Sequence, residues 1–339
     1  MDYIKEQITQ RGVKDSTIKT YVSTLNRLAI SITGEEWVST EFLTTDFQKV
    51  MDLLETFKLS KRRSTLSAIC VGLSPSGADK SKEEDKEVYD KYKPMIWEIS
   101  QIINEEKKNQ KKNPKEDENW AEWKELTKLQ KLYFGDVKRR GFTITKTPKH
   151  PMPNDVMLLN KMIVSALYTL QPPRRLEYAN MTRITEDDYN KLEKEEKESK
   201  NYIVIKNTKK MYFSFADVKI VDKESPVIIV DVAEKLIPIM RIYLKATKTF
   251  SGEWGNTFLV NSSGNQTTGS RIMSQATLSQ LLSNIVFAPT GSKISVTMLR
   301  HIYLSHIYKD ETSLKDKEEL ATKMNHSVNI QETIYIKKD

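Results

Sequence analysis

Residues Met324-Asn325-His326-Ser327-Val328-Asn329-Ile330-Gln331-Glu332-Thr333-Ile334-Tyr335 decide how the rest of this chain is read. A His-Ser pair stands nine positions before a tyrosine, near the end of 339 residues. Alone, that tyrosine is an ordinary aromatic anchor. Two arginine motifs upstream change its meaning: Pro173-Arg174-Arg175-Leu176-Glu177 and Met298-Leu299-Arg300-His301. The planar fork of arginine donates paired hydrogen bonds to phosphate and never deprotonates. Two such forks, a histidine and a phenol are the parts needed to attack a phosphodiester without a metal. The guanidiniums take up the charge that builds on the non-bridging oxygens, the phenol attacks, and a general acid protonates the departing oxygen.

Composition is consistent with that chemistry and excludes other classes. The length suits two domains. An apolar fraction of 38% and a mean hydropathy of −0.56 describe a chain with a polar surface. No run of eighteen apolar residues occurs, so no membrane-spanning segment is expected, and Met1-Asp2-Tyr3-Ile4-Lys5-Glu6 lacks the apolar core of a signal peptide. The single cysteine, Cys70, excludes an internal disulfide framework and a cysteine-held zinc, and fits a reducing compartment. The net charge of +8 favours a polyanionic partner.

Hydrophobic spacing predicts three regions. Residues 1–75 read as a helical, DNA-binding domain, with Ile18, Tyr21, Val22, Leu25 and Leu28 at helical intervals after Asp15-Ser16. Further helices are expected near Thr45–Phe57 and Ser60–Leu73; the latter opens on Lys61-Arg62-Arg63-Ser64-Thr65, which suits a phosphate backbone or a solvated helix end. Residues 76–118 read as a break at Ser74-Pro75-Ser76-Gly77, a charged helix and a basic linker. Residues 119–339 read as a mixed α/β catalytic domain. It has helices at Trp120–Leu129 and 154–170, a hairpin of Tyr202–Ile205 and Met211–Phe215 around Lys206-Asn207-Thr208-Lys209-Lys210, and a third strand at Val227–Val230. Helices are expected again near 231–247, 274–287, 295–309, 314–324 and 329–336, the last opened by a capping box of Asn329 and Glu332.

The order Arg-x-x-Glu, hairpin lysine, Leu-Arg-His, His-Ser and Tyr resembles the tyrosine recombinase (phage integrase) family. The lead-in Leu170-Gln171-Pro172-Pro173-Arg174-Arg175 looks most like the integrase-like branch of large DNA viruses and mobile elements. The motifs span residues 165–335, and the Ser16-Thr17-Ile18-Lys19-Thr20-Tyr21 helix is similar to the family's core-binding domain. The resemblance implies a mainly α fold with a small β-sheet, built as a two-domain clamp. It implies Arg174 as the first arginine, with Arg175 as its rival and Glu177 orienting it. Lys206 becomes the general acid, with Lys209 and Lys210 as alternatives, and Arg300 the second arginine. His326 would donate to the phosphate or accept the tyrosine proton, and Tyr335 is the nucleophile. Thr297 stands where the family's second motif has histidine; its hydroxyl can donate to phosphate but cannot shuttle protons near neutrality. His301 and His306 are expected to be structural.

By this resemblance the chain is expected to be a site-specific DNA recombinase or integrase that works through a 3′-phosphotyrosyl intermediate, with no cofactor and no metal. Its partner is double-stranded DNA, bound by a homo-tetramer on two sites, with no membrane, inside the cell (host cytoplasm or nucleus if viral). Two other readings remain open: a type IB topoisomerase-like nicking and religating enzyme, and a DNA-binding protein whose recombinase site has decayed.

Overall fold

The computed structural model describes residues 15–73, 83–146, 151–216, 227–250, 256–264, 269–308 and 313–337. The break expected at Ser74-Pro75-Ser76-Gly77 lies outside them. The fold is mostly helical with one small mixed sheet, and the chain divides into two compact units, residues 1–109 and 110–339.

The first unit is wholly helical among the described residues: α1 (Asp15–Thr33), α2 (Phe42–Thr45), α3 (Phe47–Glu55), α4 (Leu59–Leu73) and α5 (Glu83–Lys108). The apolar stripe of α1 meets α4 through Leu25, Leu28, Leu66 and Ile69. The two helices approach closely at Gly72, where an added Cβ would lie 3.0 Å from Leu25 Cδ1. The helix expected at 45–57 is α3; the short α2 before it went unread, and the backbone leaves the helical region between them at Asp46 (φ −107°, ψ 28°). The charged segment read as part of a connector is helical from Glu83 to Lys108. It brings Val88, Tyr92 and Ile99 into this unit's core, and Tyr92 donates its hydroxyl proton to the Leu43 carbonyl at 3.1 Å. Its Lys107 and Lys108 stand in the last turn, where cations offset the partial negative charge of a helix end.

The second unit opens with α6 (Pro114–Glu118). Asn113 Oδ1 accepts from the Glu116 amide at 3.0 Å, and Glu116 Oε2 accepts from the Asn113 amide at 2.9 Å, a capping box with proline at the first helical position. Helices α7 (Trp123–Arg139) and α8 (Pro153–Thr169) pack together. Buried Val156, Leu159, Met162, Ile163, Val164, Ala166 and Leu167 make α8 the central helix, with α11 (Ile237–Phe250) and α12 (Gln275–Thr290) also against it.

The sheet runs β1 (Thr182–Thr185), β2 (Tyr202–Ile205), β3 (Met211–Phe215), β4 (Ile228–Asp231). β1 lies parallel to β2 and the other pairs are antiparallel. The expected hairpin is present in the register Tyr202↔Ser214 and Ile205↔Met211. Its turn closes by the Lys206 and Asn207 amides donating to the Lys210 carbonyl. Strand β1 and the short helices α9 (Glu186–Lys191) and α10 (Lys194–Ser199) went unread in the sequence. The helix expected from 231 begins at Ile237, because Asp231 closes β4.

The last elements are α13 (Val296–Ile307), α14 (Leu314–Met324) and a three-residue turn, α15 (Val328–Ile330). A π-helical turn, Gln331–Tyr335, comes after α15, its amide bond running from Ile336 to the Gln331 carbonyl at 3.3 Å. The expected capping box of Asn329 and Glu332 is replaced by a Ser327 cap, whose Oγ accepts from the Ile330 amide at 3.3 Å, while Glu332 pairs with Lys317 at 2.8 Å. Leu304, Leu320, Met324 and Tyr335 share one small apolar cluster, so the tyrosine segment is packed down on α13 and α14.

Candidate active site

Three arginines meet the C-terminus of α14. That helix ends on Asn325 in the left-handed conformation (φ 56°), a role asparagine tolerates well. Its last carbonyls lack helical partners. Arg174 Nη1 donates to the Lys323 carbonyl at 2.6 Å, Arg300 Nη1 to the Met324 carbonyl at 2.9 Å, and Arg175 Nη1 to the Asn325 carbonyl at 3.1 Å.

Each arginine reaches this point for a local reason. Pro172 and Pro173 end the helical run after α8, since neither has an amide to donate. The loop behind them is pinned by Tyr168, whose hydroxyl donates to the Arg175 carbonyl, and by Gln171, whose Nε2 donates to the Tyr178 hydroxyl at 2.6 Å. Arg174 then turns inward. It is 1% exposed, lies 3.7 Å from the Phe215 ring centroid and stands 3.5 Å from Glu177 Oε1. Arg175 stays exposed, and its Nη2 donates to the Tyr335 hydroxyl at 3.3 Å. Arg300 projects from the second turn of α13, whose start is capped by Ser295 Oγ at 3.2 Å from the Met298 amide. It is fully buried, and Nη1 donates also to the Pro173 carbonyl at 2.9 Å.

Tyr335 is 6% exposed and lies between two imidazoles. His326 stacks on it at 5.0 Å with 24° between planes, and His301 lies at 5.0 Å with 40°. The Arg300 guanidinium carbon is 4.8 Å from the tyrosine ring centroid. His326 Nδ1 is 2.6 Å from Arg300 Nη2, and its Nε2 is 2.8 Å from Gln331 Oε1. His301 Nδ1 donates to the Tyr335 carbonyl at 2.9 Å. Burial, then the Arg300 charge, holds His326 down to about 4; burial, then Lys337, holds His301 down to about 4 as well. Both rings are therefore neutral near pH 7. Burial also lowers Arg174 and Arg300 from their ordinary range, yet a guanidinium stays charged over any working pH.

The site carries an excess of positive charge. Against three guanidiniums stand Glu177 and the end of α14, which is worth about half a negative charge. Arg174 Nε and Nη2 and Arg300 Nε are buried with no hydrogen-bond acceptor. Each buried ion is penalised by several kcal/mol unless compensated, and an anion docked against these guanidiniums would offset that cost. A phosphodiester brings one negative charge, and more develops as a nucleophile adds.

Four expected residues, Arg174, Arg300, His326 and Tyr335, come together, and Arg175 joins them. Two do not. Lys206 sits in the exposed hairpin turn with its Nζ 2.9 Å from Glu186 Oε2. Lys209 and Lys210 are exposed in the same turn. Thr297 is exposed in the first turn of α13. His306 lies against Trp123 at 6.5 Å. Asn325, Gln331, Glu116 and Lys337 went unread. Of these, Asn325 and Glu116 had a signal: an asparagine after Lys323-Met324 is a common helix end, and Asn113-Pro114-Lys115-Glu116 is a capping box. Among the described residues no group of side chains could hold a metal ion, and no helix is long and apolar enough to cross a membrane.

No family model and no curated protein matches the chain. Among solved structures it is similar to the crystal structure of XerA recombinase, at 10% identity over 100% of this chain and 94% of that chain, with a TM-score of 0.37. A likeness that distant carries no functional weight; function has to be argued from the residues of the site.

Proposed function

We propose that this chain is a DNA strand-breaking and rejoining enzyme of the tyrosine recombinase kind, acting through a covalent 3′-phosphotyrosyl intermediate. The observation that carries this reading is the Tyr335 hydroxyl, 3.3 Å from Arg175 Nη2 within a cluster that includes Arg174 and Arg300. A tyrosine buried only for packing has no use for guanidiniums at its hydroxyl and ring, and a plain phosphate-binding patch has no use for a phenol at its centre.

In the proposed reaction the scissile phosphate docks on the arginines and displaces no protein charge. The Tyr335 oxygen forms a bond to phosphorus as the bond from phosphorus to the 5′ oxygen breaks. The phenolic proton passes to water, since both nitrogens of His326 are already engaged by Arg300 and Gln331, and a general acid supplies a proton to the 5′ oxygen. Lys206 is the candidate acid; it stands on a hairpin turn that can lean toward DNA once the phosphate field competes for it with Glu186. Attack by a 5′ hydroxyl on the phosphotyrosyl ester reverses the step. If that hydroxyl belongs to a second duplex the outcome is recombination, through four protomers on two sites. If it is the original strand, the outcome is relaxation.

The test is a nicked duplex that loses its short 5′-hydroxyl fragment after cleavage and so traps the covalent species. Wild-type protein is expected to form a protein–DNA adduct resistant to denaturant, and Tyr335→Phe none. Binding without any adduct on such duplexes would instead favour a DNA-binding protein with a decayed site, the reading that the exposed Thr297 favours.

A further inference from the structure

Gln331 is fully buried, and its side-chain amide bonds His326 and Tyr308. It opens the π turn that ends in Tyr335. Its Oε1 lies 2.8 Å from His326 Nε2, and its Nε2 donates to the Tyr308 hydroxyl. The other ring nitrogen, His326 Nδ1, is 2.6 Å from Arg300 Nη2. A guanidinium is only ever a donor, so Nδ1 must present a lone pair. Nε2 must then carry the hydrogen and needs an acceptor, which Gln331 Oε1 provides. Reversing the glutamine amide would set two donors against each other at Nε2.

We propose that Gln331 is a positioning residue that fixes His326 as the neutral Nε2–H tautomer and thereby aims Arg300 at the phosphate. This rests on the strand-cleavage reading only for what Arg300 binds; the tautomer stands on its own. The role goes beyond filling space, because an apolar side chain of similar volume removes the acceptor and lets the neutral ring hold its one hydrogen on Nδ1 instead, against Arg300. Charged and titratable groups around the ring all oppose a second proton on it or are neutral. Arg300, Arg175 and Arg174 lower its proton affinity, and of the two phenols nearby, Tyr335 and Tyr308, burial raises that of Tyr308. Glu332, whose charge acts on Tyr308, is paired with Lys317.

Two measurements test this. The chain has four histidines, so long-range 15N NMR with His326→Asn as the assignment control can read this ring directly. The expected spectrum is a neutral Nε2–H tautomer that does not titrate between pH 5.5 and 8.5. A ring protonated at Nδ1, or titrating near pH 6.5, overturns the proposal whatever becomes of cleavage. The second measurement is adduct formation against pH. Gln331→Glu sets a carboxylate on Nε2–H, raises the imidazole pKa, and brings a second proton to Nδ1 as pH falls. Its adduct yield should match wild type at pH 8.5 and fall about tenfold per unit below the new pKa, while wild type stays flat in that range with respect to this group. Gln331→Leu should lose activity to the same extent at every pH. Thermal melting checks that each variant is folded. Parallel pH profiles for wild type and a folded Gln331→Glu overturn the proposal; absence of adduct in wild type, with the NMR result as expected, overturns the cleavage reading and leaves the tautomer in place.

Discussion

Arg174 and Arg175 show how far one residue's role departs from its neighbour's. Both belong to a doublet, both donate to the end of α14, and their sequence context is nearly the same. What separates them is the path of the loop after Pro172 and Pro173, which turns Arg174 under Phe215 beside Glu177 and leaves Arg175 at the tyrosine hydroxyl. That Arg174, Arg300, His326 and Tyr335 would gather was legible from their residue types and order. The division of labour within the doublet was not, because it depends on contacts with Phe215 and Asn325, distant in sequence. The two arginines are therefore expected to fail differently. Arg175→Ala should leave the urea midpoint near wild type and reduce the adduct rate by roughly 10²–10³-fold, the usual loss for one donor to a developing oxyanion. Arg174→Ala should remove stability, on the order of 3–5 kcal/mol, because it strands Glu177 in the interior. Equal loss of stability in both variants, measured by urea unfolding, would mean that the buried and exposed roles are wrongly assigned.

At the scale of elements, the C-terminal segment is the part most dependent on others. Its backbone is held by His301 at the Tyr335 carbonyl and by Ser305, whose Oγ accepts from the Lys337 amide at 2.7 Å. Helix α6 adds Glu116, 3.4 Å from Lys337 Nζ and 3.9 Å from His301 Nε2, and Gln110 Nε2 donates to the Glu332 carbonyl. Helices with long apolar stripes, such as α1, α4, α7 and α8, were readable by spacing. The π turn was not, since five residues carry no period, and β1 was not, since three half-buried residues and an exposed one show no alternation. The Ser327 cap was missed because Asn329 and Glu332 offered a more familiar pattern. The two imidazoles beside Tyr335 give this region a pH dependence. Both are depressed to about 4 in the folded protein, whereas unfolded histidine lies near 6.5. Between these values the unfolded chain binds protons that the folded chain refuses, so stability is fully present above pH 6.5 and declines as pH falls toward 4. Each histidine should contribute on the order of 1–3 kcal/mol to that decline. The urea midpoint should fall between pH 7.5 and pH 5, and His301→Phe should flatten the slope; a midpoint that is unchanged or rises over this range would show that neither ring is held neutral.

Across the whole molecule the charge is unevenly divided, and under the proposed function the division bears on which unit would hold DNA. Residues 1–109 carry 17 Lys or Arg against 18 Asp or Glu, whereas residues 110–339 carry 37 against 28. The fold class was legible from hydrophobic spacing, but the boundary between the units was not, because the basic run from Lys107 to Lys115 reads as one connector while Lys107 and Lys108 belong to the end of α5. Lys61, Arg62 and Arg63 at the start of α4 are what suggest a DNA-binding role for the helical N-terminal region. In the structure Lys61 lies 3.6 Å over the Phe57 ring, in the same helix turn as those arginines. That patch is the local basic feature of a unit with no net positive charge. Since each phosphate contact contributes about −0.9 to the slope of log K against log salt, the units can be compared on one scale. A chain of residues 110–339, which has its own apolar core, should bind duplex DNA with most of the full chain's slope. The full chain should exceed it by no more than about three phosphate contacts, and K61A/R62A/R63A in the full chain should remove that excess. If the fragment instead loses half of the slope or more, the first unit grips phosphates through groups that its charge balance conceals, and the second unit cannot be the main seat of DNA affinity.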